Sequence, residues 1–255
     1  MEADWERPQY APGGGDASVL FIVFGPKPNP LRVTSLAHRV VPMDLALELE
    51  YQDPQVASGL LVSPFGQSLL LGWQGDDAAT LAAEGCMVMR AEVPDPKDLR
   101  YFRNCVGVVT AILEAGGRAA ANVQSLGMFT AEQWRAVIFA PDTPQPRLHV
   151  NVFHGEEEGG AVWVHSRGLR AFGRPDLSIR NVPADALPAA SELCNRLIEA
   201  QAFGEVIADG KPIDLPGLAE GLAARHQGHL EDPDFNNVHI ELTWSSTNGA
   251  EAGGF

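Results

Sequence analysis

Cysteine is scarce: Cys86, Cys105 and Cys194 are the only three in 255 residues. Their odd number and wide spacing exclude a disulfide framework, and no second Cys or His stands at metal-ligand or redox spacing from any of them. Their neighbours, as in Gly85-Cys86-Met87-Val88 and Leu193-Cys194, are apolar or helix-forming, which predicts buried thiols of the kind a reducing compartment preserves. Long apolar runs are missing too. The stretch at 19–24 is far too short to cross a bilayer, so no membrane span is expected. Residues 1–16 lack the basic start and apolar stretch of a signal peptide, and their Gly13-Gly14-Gly15 run predicts a flexible N-terminal segment of a cytoplasmic protein. Cations are in deficit, with 18 Lys and Arg against 33 Asp and Glu and a net charge of −15. Repulsion from phosphates therefore argues against nucleic acid and anionic membranes as partners.

Catalytic signatures are absent as well. Glycine is plentiful, but Gly13-Gly14-Gly15 and Gly116-Gly117 lack the register of a nucleotide fingerprint, and Gly210-Lys211-Pro212 has proline where a phosphate loop needs a hydroxyl. There is no G-x-S-x-G, H-E-x-x-H or C-x-x-C. His226 and His229 have a spacing that could aim two imidazoles at a metal, but no third ligand is evident, and Glu156-Glu157-Glu158 reads as an exposed hairpin tip. The expectation is a chain with no cofactor, no metal and no enzymatic activity.

What is present is an ordinary globular composition, 45% apolar and 20% charged, long enough to bury its own core. Val19-Leu20-Phe21-Ile22-Val23-Phe24 predicts a strand buried on both faces at the centre of a sheet. A weak helix is expected near 44–50, a hairpin from 59–62 and 68–73 around Pro64-Phe65-Gly66-Gln67, and a strand at 86–93. Leu99, Phe102, Val106, Val109 and Leu113 recur at helical spacing over 98–115 and stop at Gly116-Gly117. After a strand at 119–123, Thr130-Ala131-Glu132-Gln133 has capping-box spacing before Trp134, Val137 and Ile138. Pro141, Pro144 and Pro146 mark a linker. Beyond it, strands at 148–153 and 161–165 predict a second hairpin, followed by a strand at 177–180, a helix carrying Leu187, Ala190, Leu193, Cys194, Leu197 and Ile198, a strand at 238–244, and a tail from Ser245 expected to fray. Hairpins with interspersed helices indicate an α+β fold with antiparallel or mixed sheets. The expected layout is a flexible segment at 1–16, α+β halves at 17–140 and 147–244, and a flexible tail at 245–255. The halves form either two related sheet-plus-helix units or one continuous sheet.

One segment exceeds what folding demands. His165-Ser166-Arg167-Gly168-Leu169-Arg170-Ala171-Phe172-Gly173-Arg174-Pro175-Asp176-Leu177 crowds cations, glycines and an aromatic into a turn between strands. As a binding site it would use His165, Arg167, Arg170, Arg174 and Asp176. As a structural turn it would use Gly168 and Gly173 for special backbone angles, Phe172 as a core plug, Pro175, and an Asp176 paired with a nearby Arg. The segment resembles the T-x-G-L-x-x-F-G-x-P-[DE]-[IL] box of a bacterial domain of unknown function, number 4261, with Ser166 where a Thr is more usual. The resemblance extends from residue 148 through Ile207-Ala208-Asp209-Gly210-Lys211, similar to an L-x-D-G turn of that family, and is clearest over about a third of the chain. It implies a bacterial, cytoplasmic fold unit of accessory or toxin-neutralising type and no specific reaction.

After Arg196 the only cations are Lys211 and Arg225, against Asp214, Glu220, Glu231, Asp232, Asp234, Glu241 and Glu251. An acidic surface of this kind suits a basic protein partner, so the first expectation is a non-enzymatic binding protein, of the immunity type that neutralises a basic toxin or effector. The second is an enzyme or sensor that binds a small anionic ligand at 165–176. The sequence leaves homo-oligomerisation open.

Overall fold

The computed structural model describes residues 5–213 and 222–244. The architecture is α+β, with two five-stranded sheets in two compact units. The first unit comprises residues 1–151, 167–174 and 199–206, and the second 152–166, 175–198 and 207–255. The division therefore falls at 151/152, and two later segments return to the first unit.

The first unit runs β1 (Ala17–Phe24), α1 (Ser35–His38), β2 (Leu47–Gln52), α2 (Pro54–Val62), α3 (Pro64–Leu70), α4 (Ala78–Ala82), β3 (Cys86–Val93), α5 (Arg100–Glu114), β4 (Ala119–Asn122), β5 (Gly127–Thr130) and α6 (Ala131–Gln133). Its sheet has the order β2-β3-β1-β4-β5 and is antiparallel throughout. β1 is central, as its continuous apolar run predicts, because both of its faces are covered. Phe21 meets Phe102 of α5 at 6.4 Å and the edge of Trp134 at 5.3 Å. Ile22 and Phe24, on the opposite face, join Ala57, Leu61, Leu69 and Leu81 from α2, α3 and α4. Thr130 and Gln133 form the capping box in full, and α6 passes into a π-helical turn at Trp134–Phe139.

Three expectations are corrected here. The hairpin at 59–73 is instead the helix pair α2 and α3. Asp53 accepts hydrogen bonds from the Gln55 and Val56 amides at 2.8 and 3.0 Å, Ser63 accepts one from Gly66 at 3.1 Å, and a proline opens each helix. Two N-caps followed by proline outweigh the apolar runs that suggest strands. The weak helix at 44–50 is replaced by β2, which pairs residue for residue with β3. Residues 5–16, expected to be flexible, are packed. The Arg7 side chain is 3% exposed and donates to the carbonyls of Ala202 (3.0 Å), Pro96 (2.8 Å), Phe172 (2.9 Å) and Gln201 (3.0 Å). Backbone bonds from Leu99 to Trp5, Gln9 to Phe203 and Ala11 to Gly204 tie down further points of the segment.

The second unit contains β6 (Asn151–Glu156), β7 (Val162–Arg167), β8 (Asp176–Val182), α7 (Leu187–Ala202), β9 (Arg225–Gln227) and β10 (His239–Thr243), with α7 passing into the first unit at Glu199. The sheet order is β6-β7-β8-β10-β9; β10 lies parallel to β8, whereas β7 pairs antiparallel with β8 and β9 antiparallel with β10. Val164, Leu177, Ile179, Ile240 and Leu242 are buried on one face, and α7 contributes Ala190, Leu193, Cys194 and Ile198 to the interior. Pro188 sits in the first turn of α7, where its missing N–H costs nothing. The tail from Ser245 lies outside the described residues.

Two predictions concern the first unit. Replacing Arg7 with Met takes a donor from four interior carbonyls, of which that of Gln201 keeps the Gly204 amide, and urea unfolding should show a loss of about 3–5 kcal/mol. His149 is 5% exposed against the Phe102 ring, and burial pushes its pKa down to about 3. The unfolded imidazole binds a proton below about pH 6.5 and the folded one does not, so stability is complete above that value and falls as pH drops. Between pH 6.5 and 5 this residue should remove about 2 kcal/mol, a slope that His149→Phe abolishes in the same titration.

Candidate functional site

The structure divides the segment at 165–177 between the two units. His165, Ser166, Pro175, Asp176 and Leu177 belong to the second, and residues 167–174 to the first.

Within the first unit, residues 169–172 form a 3-10 turn that buries Leu169 and Phe172 almost completely. Gly168 has φ 124°, and a Cβ there would lie 2.5 Å from the His149 carbonyl. Gly173 has φ 63°, and its Cβ would lie 2.4 Å from the Gly15 carbonyl. Both positions require glycine for backbone angle and for space. Arg174 is 2% exposed and donates to the carbonyls of Gly173 (2.8 Å), Gly204 (2.9 Å), Glu205 (3.1 Å) and Ala11 (3.4 Å), with Asp95 at 3.7 Å. Burial lowers its pKa and Asp95 opposes that shift. Its guanidinium is therefore committed to the fold, whereas Arg167 and Arg170 are half-buried.

In the second unit Asp176 is fully buried. One oxygen accepts from the Ser166 hydroxyl at 2.8 Å, the other from Asn237 Nδ2 at 2.9 Å, and the Ser166 oxygen in turn accepts from the Leu177 amide at 2.9 Å. These bonds tie the start of β8 to β7 and to the loop before β10. Pro175 precedes them, half-buried.

His165 lies elsewhere, on the opposite face of β7 from Val164. The β7/β8 register puts it across from Ser178, and the β8/β10 register continues the row to Glu241. The face thus defined carries an aromatic and imidazole cluster. Trp163 stacks on His165 at 3.8 Å and 18°, and Phe153 lies 5.6 Å from His165. Phe235 touches both Trp163 and His165 with its edge and stacks on His239 at 4.2 Å. Gly155 provides the room: a Cβ there would sit 3.3 Å from the Trp163 ring. Trp163 Nε1 donates to Ser178 at 2.9 Å, and the Arg180 guanidinium lies over the indole at 3.9 Å. Glu157 holds Arg180 at 3.0 Å and Glu241 stands at 3.9 Å, so two carboxylates flank this one cation. Burial lowers the His239 pKa, opposed by Asp232 and Glu241, and its Nδ1 is enclosed with no hydrogen-bond partner among the described residues. Strand alternation marks 163 and 165 as facing one way, but a bulge between Val162 and Val164 shifts the register to β8, so sequence reasoning missed the pairing with Ser178 and Arg180.

The other candidates separate. His226 Nε2 bonds the Ile207 carbonyl at 2.7 Å, and His229 faces Glu231 at 3.5 Å. Among the described residues no group of three or more His, Cys, Asp or Glu is placed to hold a metal ion. Cys105 and Cys194 are buried, and burial pushes Cys105 up to about 12. No helix of the described residues is long and apolar enough to cross a membrane. Charge is distributed unevenly: the second unit holds 14 acidic and 4 basic side chains, net −10, and the first 19 and 14, net −5. Chemically, an aromatic face bordered by carboxylates suits the recognition of cations more than of anions. No protein-family model, curated protein or solved structure matches this chain.

Ser166→Ala removes both a donor to Asp176 and an acceptor for the Leu177 amide. Chemical denaturation should register a loss of about 1–3 kcal/mol, because at least one buried polar group is left unsatisfied.

Proposed function

We propose that this protein is a non-enzymatic binding protein of the cytoplasm whose acidic second unit engages a basic protein partner, in the manner of an immunity protein that neutralises a basic toxin or effector. The observation that carries this reading is the charge distribution: net −10 of the chain's −15 falls in the second unit. Glu156, Glu158, Glu231 and Asp234 are exposed there, and the one arginine of the aromatic face, Arg180, is already flanked by Glu157 and Glu241. Such a field accelerates encounter with a cationic surface and repels anionic ones. The resemblance carried by residues 165–177 points to the same kind of role. The competing reading, a small anion held by the arginines of that turn, is weakened because Arg174 spends its donors on carbonyls.

Co-expression with the product of the adjacent gene, followed by purification of the complex, tests the proposal. A complex whose association slows steeply with added salt is expected. Neutralising Glu156, Glu158, Glu231 and Asp234 together to Gln or Asn should cut the association rate by about tenfold or more. Failure to retain that product, or a rate indifferent to salt and to these substitutions, overturns the reading.

A further inference from the structure

The outer edge of the first unit's sheet combines features that proteins ordinarily avoid together. β2 reads Leu47-Glu48-Leu49-Glu50-Tyr51-Gln52, with neither proline nor lysine, and pairs with β3 without a bulge. It is the terminal strand of the sheet, and no backbone hydrogen bond from any described residue reaches its outer side. Glu48, Leu49 and Glu50 are exposed, Leu49 at 38%. A regular edge of this length, without proline, lysine or a bulge, offers unpaired backbone groups to another strand, and its two glutamates restrict which strand can use them.

Its side chains restrict which strand fits. Glu48 and Glu50 share one face of the sheet, and Leu47, Leu49 and Tyr51 share the other, because the pleat alternates. A second copy of this chain would pair antiparallel about a two-fold axis perpendicular to the sheet, which keeps like faces together. Such registers set Glu48 against Glu50, or a glutamate against its own counterpart, and like charges directly opposed across strands are destabilising. A heterologous strand with Lys or Arg opposite the two glutamates and apolar residues opposite Leu49 converts the same contacts into attraction. Beside the strand lies a surface depression of about 260 Å³ lined by Ala46, Glu48, Arg90, Ala91 and Glu92. Arg90 stands across from Glu48 on β3 and Glu92 next to it, so this face keeps an acidic balance. Lys27 lies 5.8 Å from the Tyr51 ring, so the cationic positions belong opposite Glu48 and Glu50 and not at the Tyr51 end.

We infer that β2 is a docking edge for an extended segment of another protein in which basic and apolar residues alternate, added as a sixth strand to the first unit's sheet. β2 belongs to the first unit and the exposed carboxylates of the proposed function to the second, so either proposal can fail alone.

A fluorescently labelled peptide of about seven residues with alternating Lys and Val, titrated against the full chain and read by anisotropy, tests it. Saturable binding is expected. Glu48→Gln combined with Glu50→Gln, which adds no like charge opposite Arg90, should weaken it by about tenfold or more with little change in thermal unfolding, and a proline at the centre of the peptide should abolish it. In heteronuclear spectra the amides of residues 47–52 should shift and become protected from exchange on peptide addition. Equal binding of a peptide with the same composition in scrambled order, binding indifferent to the paired Glu48→Gln and Glu50→Gln substitutions, or shifts confined to residues of the second unit would overturn the inference. So would a sedimentation result in which the chain dimerises and Leu49→Pro alone restores the monomer, because the edge would then serve self-pairing.

Discussion

The first unit depends on two buried guanidinium groups that collect main-chain carbonyls. Arg7 takes those of Pro96, Phe172, Gln201 and Ala202, and Arg174 takes those of Gly173, Gly204 and Glu205. Several of these carbonyls lie at or just beyond the C-terminal end of α7, where a helix leaves acceptors unsatisfied and where its dipole favours positive charge. Five donors in a rigid fork suit arginine to this task in a way that lysine's single ammonium does not match. The segment before β1, the turn at 169–172 and the end of α7 thereby become one hydrogen-bonded network, although they are far apart in sequence. The dense packing of Gly14 and Gly173 against this network follows, since a Cβ at either position would collide with Arg174 or with the Gly15 carbonyl.

The second unit depends on a division between its two sheet faces. One face buries Val164, Leu177, Ile179, Ile240 and Leu242, and the other carries Trp163, His165, Ser178, Arg180, His239 and Glu241. The buried polar knot of Ser166, Asp176 and Asn237 secures the start of β8. It is satisfied on both carboxylate oxygens, which is the condition under which a buried charge is tolerable. Asp176 thus holds strands in place. A half-buried indole stacked between imidazole and guanidinium is a rigid, low-entropy contact element of the kind enriched at binding interfaces.

The residues singled out at 165–176 show how one compact stretch of sequence can contain several unrelated devices. Gly168, Phe172 and Gly173 shape a turn, Arg174 is a clamp for carbonyls, Asp176 anchors a strand, and His165 belongs to an aromatic face. Adjacent residues on a strand point in opposite directions, and the chain passes between units twice within the segment. Proximity in sequence therefore does not give these residues one common role.

Local signals in the sequence settled much of the fold. The uninterrupted apolar run of β1, the helical periodicity of α5 with its glycine stop, the capping box at Thr130, the stripe of α7 and the alternation of β10 each rest on interactions within a few residues, which a linear chain displays directly. The net acidity and its concentration late in the chain are likewise composition, and need no coordinates. The N-caps Asp53 and Ser63, each followed by proline, are local signals too, and they mark the helices α2 and α3. Tertiary structure alone decided that β2 is a strand at an edge, that residues 5–16 are tied down, and that Arg174 points inward while Trp163 joins Arg180. Those outcomes depend on strand register, on a bulge, and on carbonyls supplied by segments up to 195 positions away from Arg7. The partners in such contacts are chosen by the folded chain as a whole, so no window of neighbouring residues contains the information.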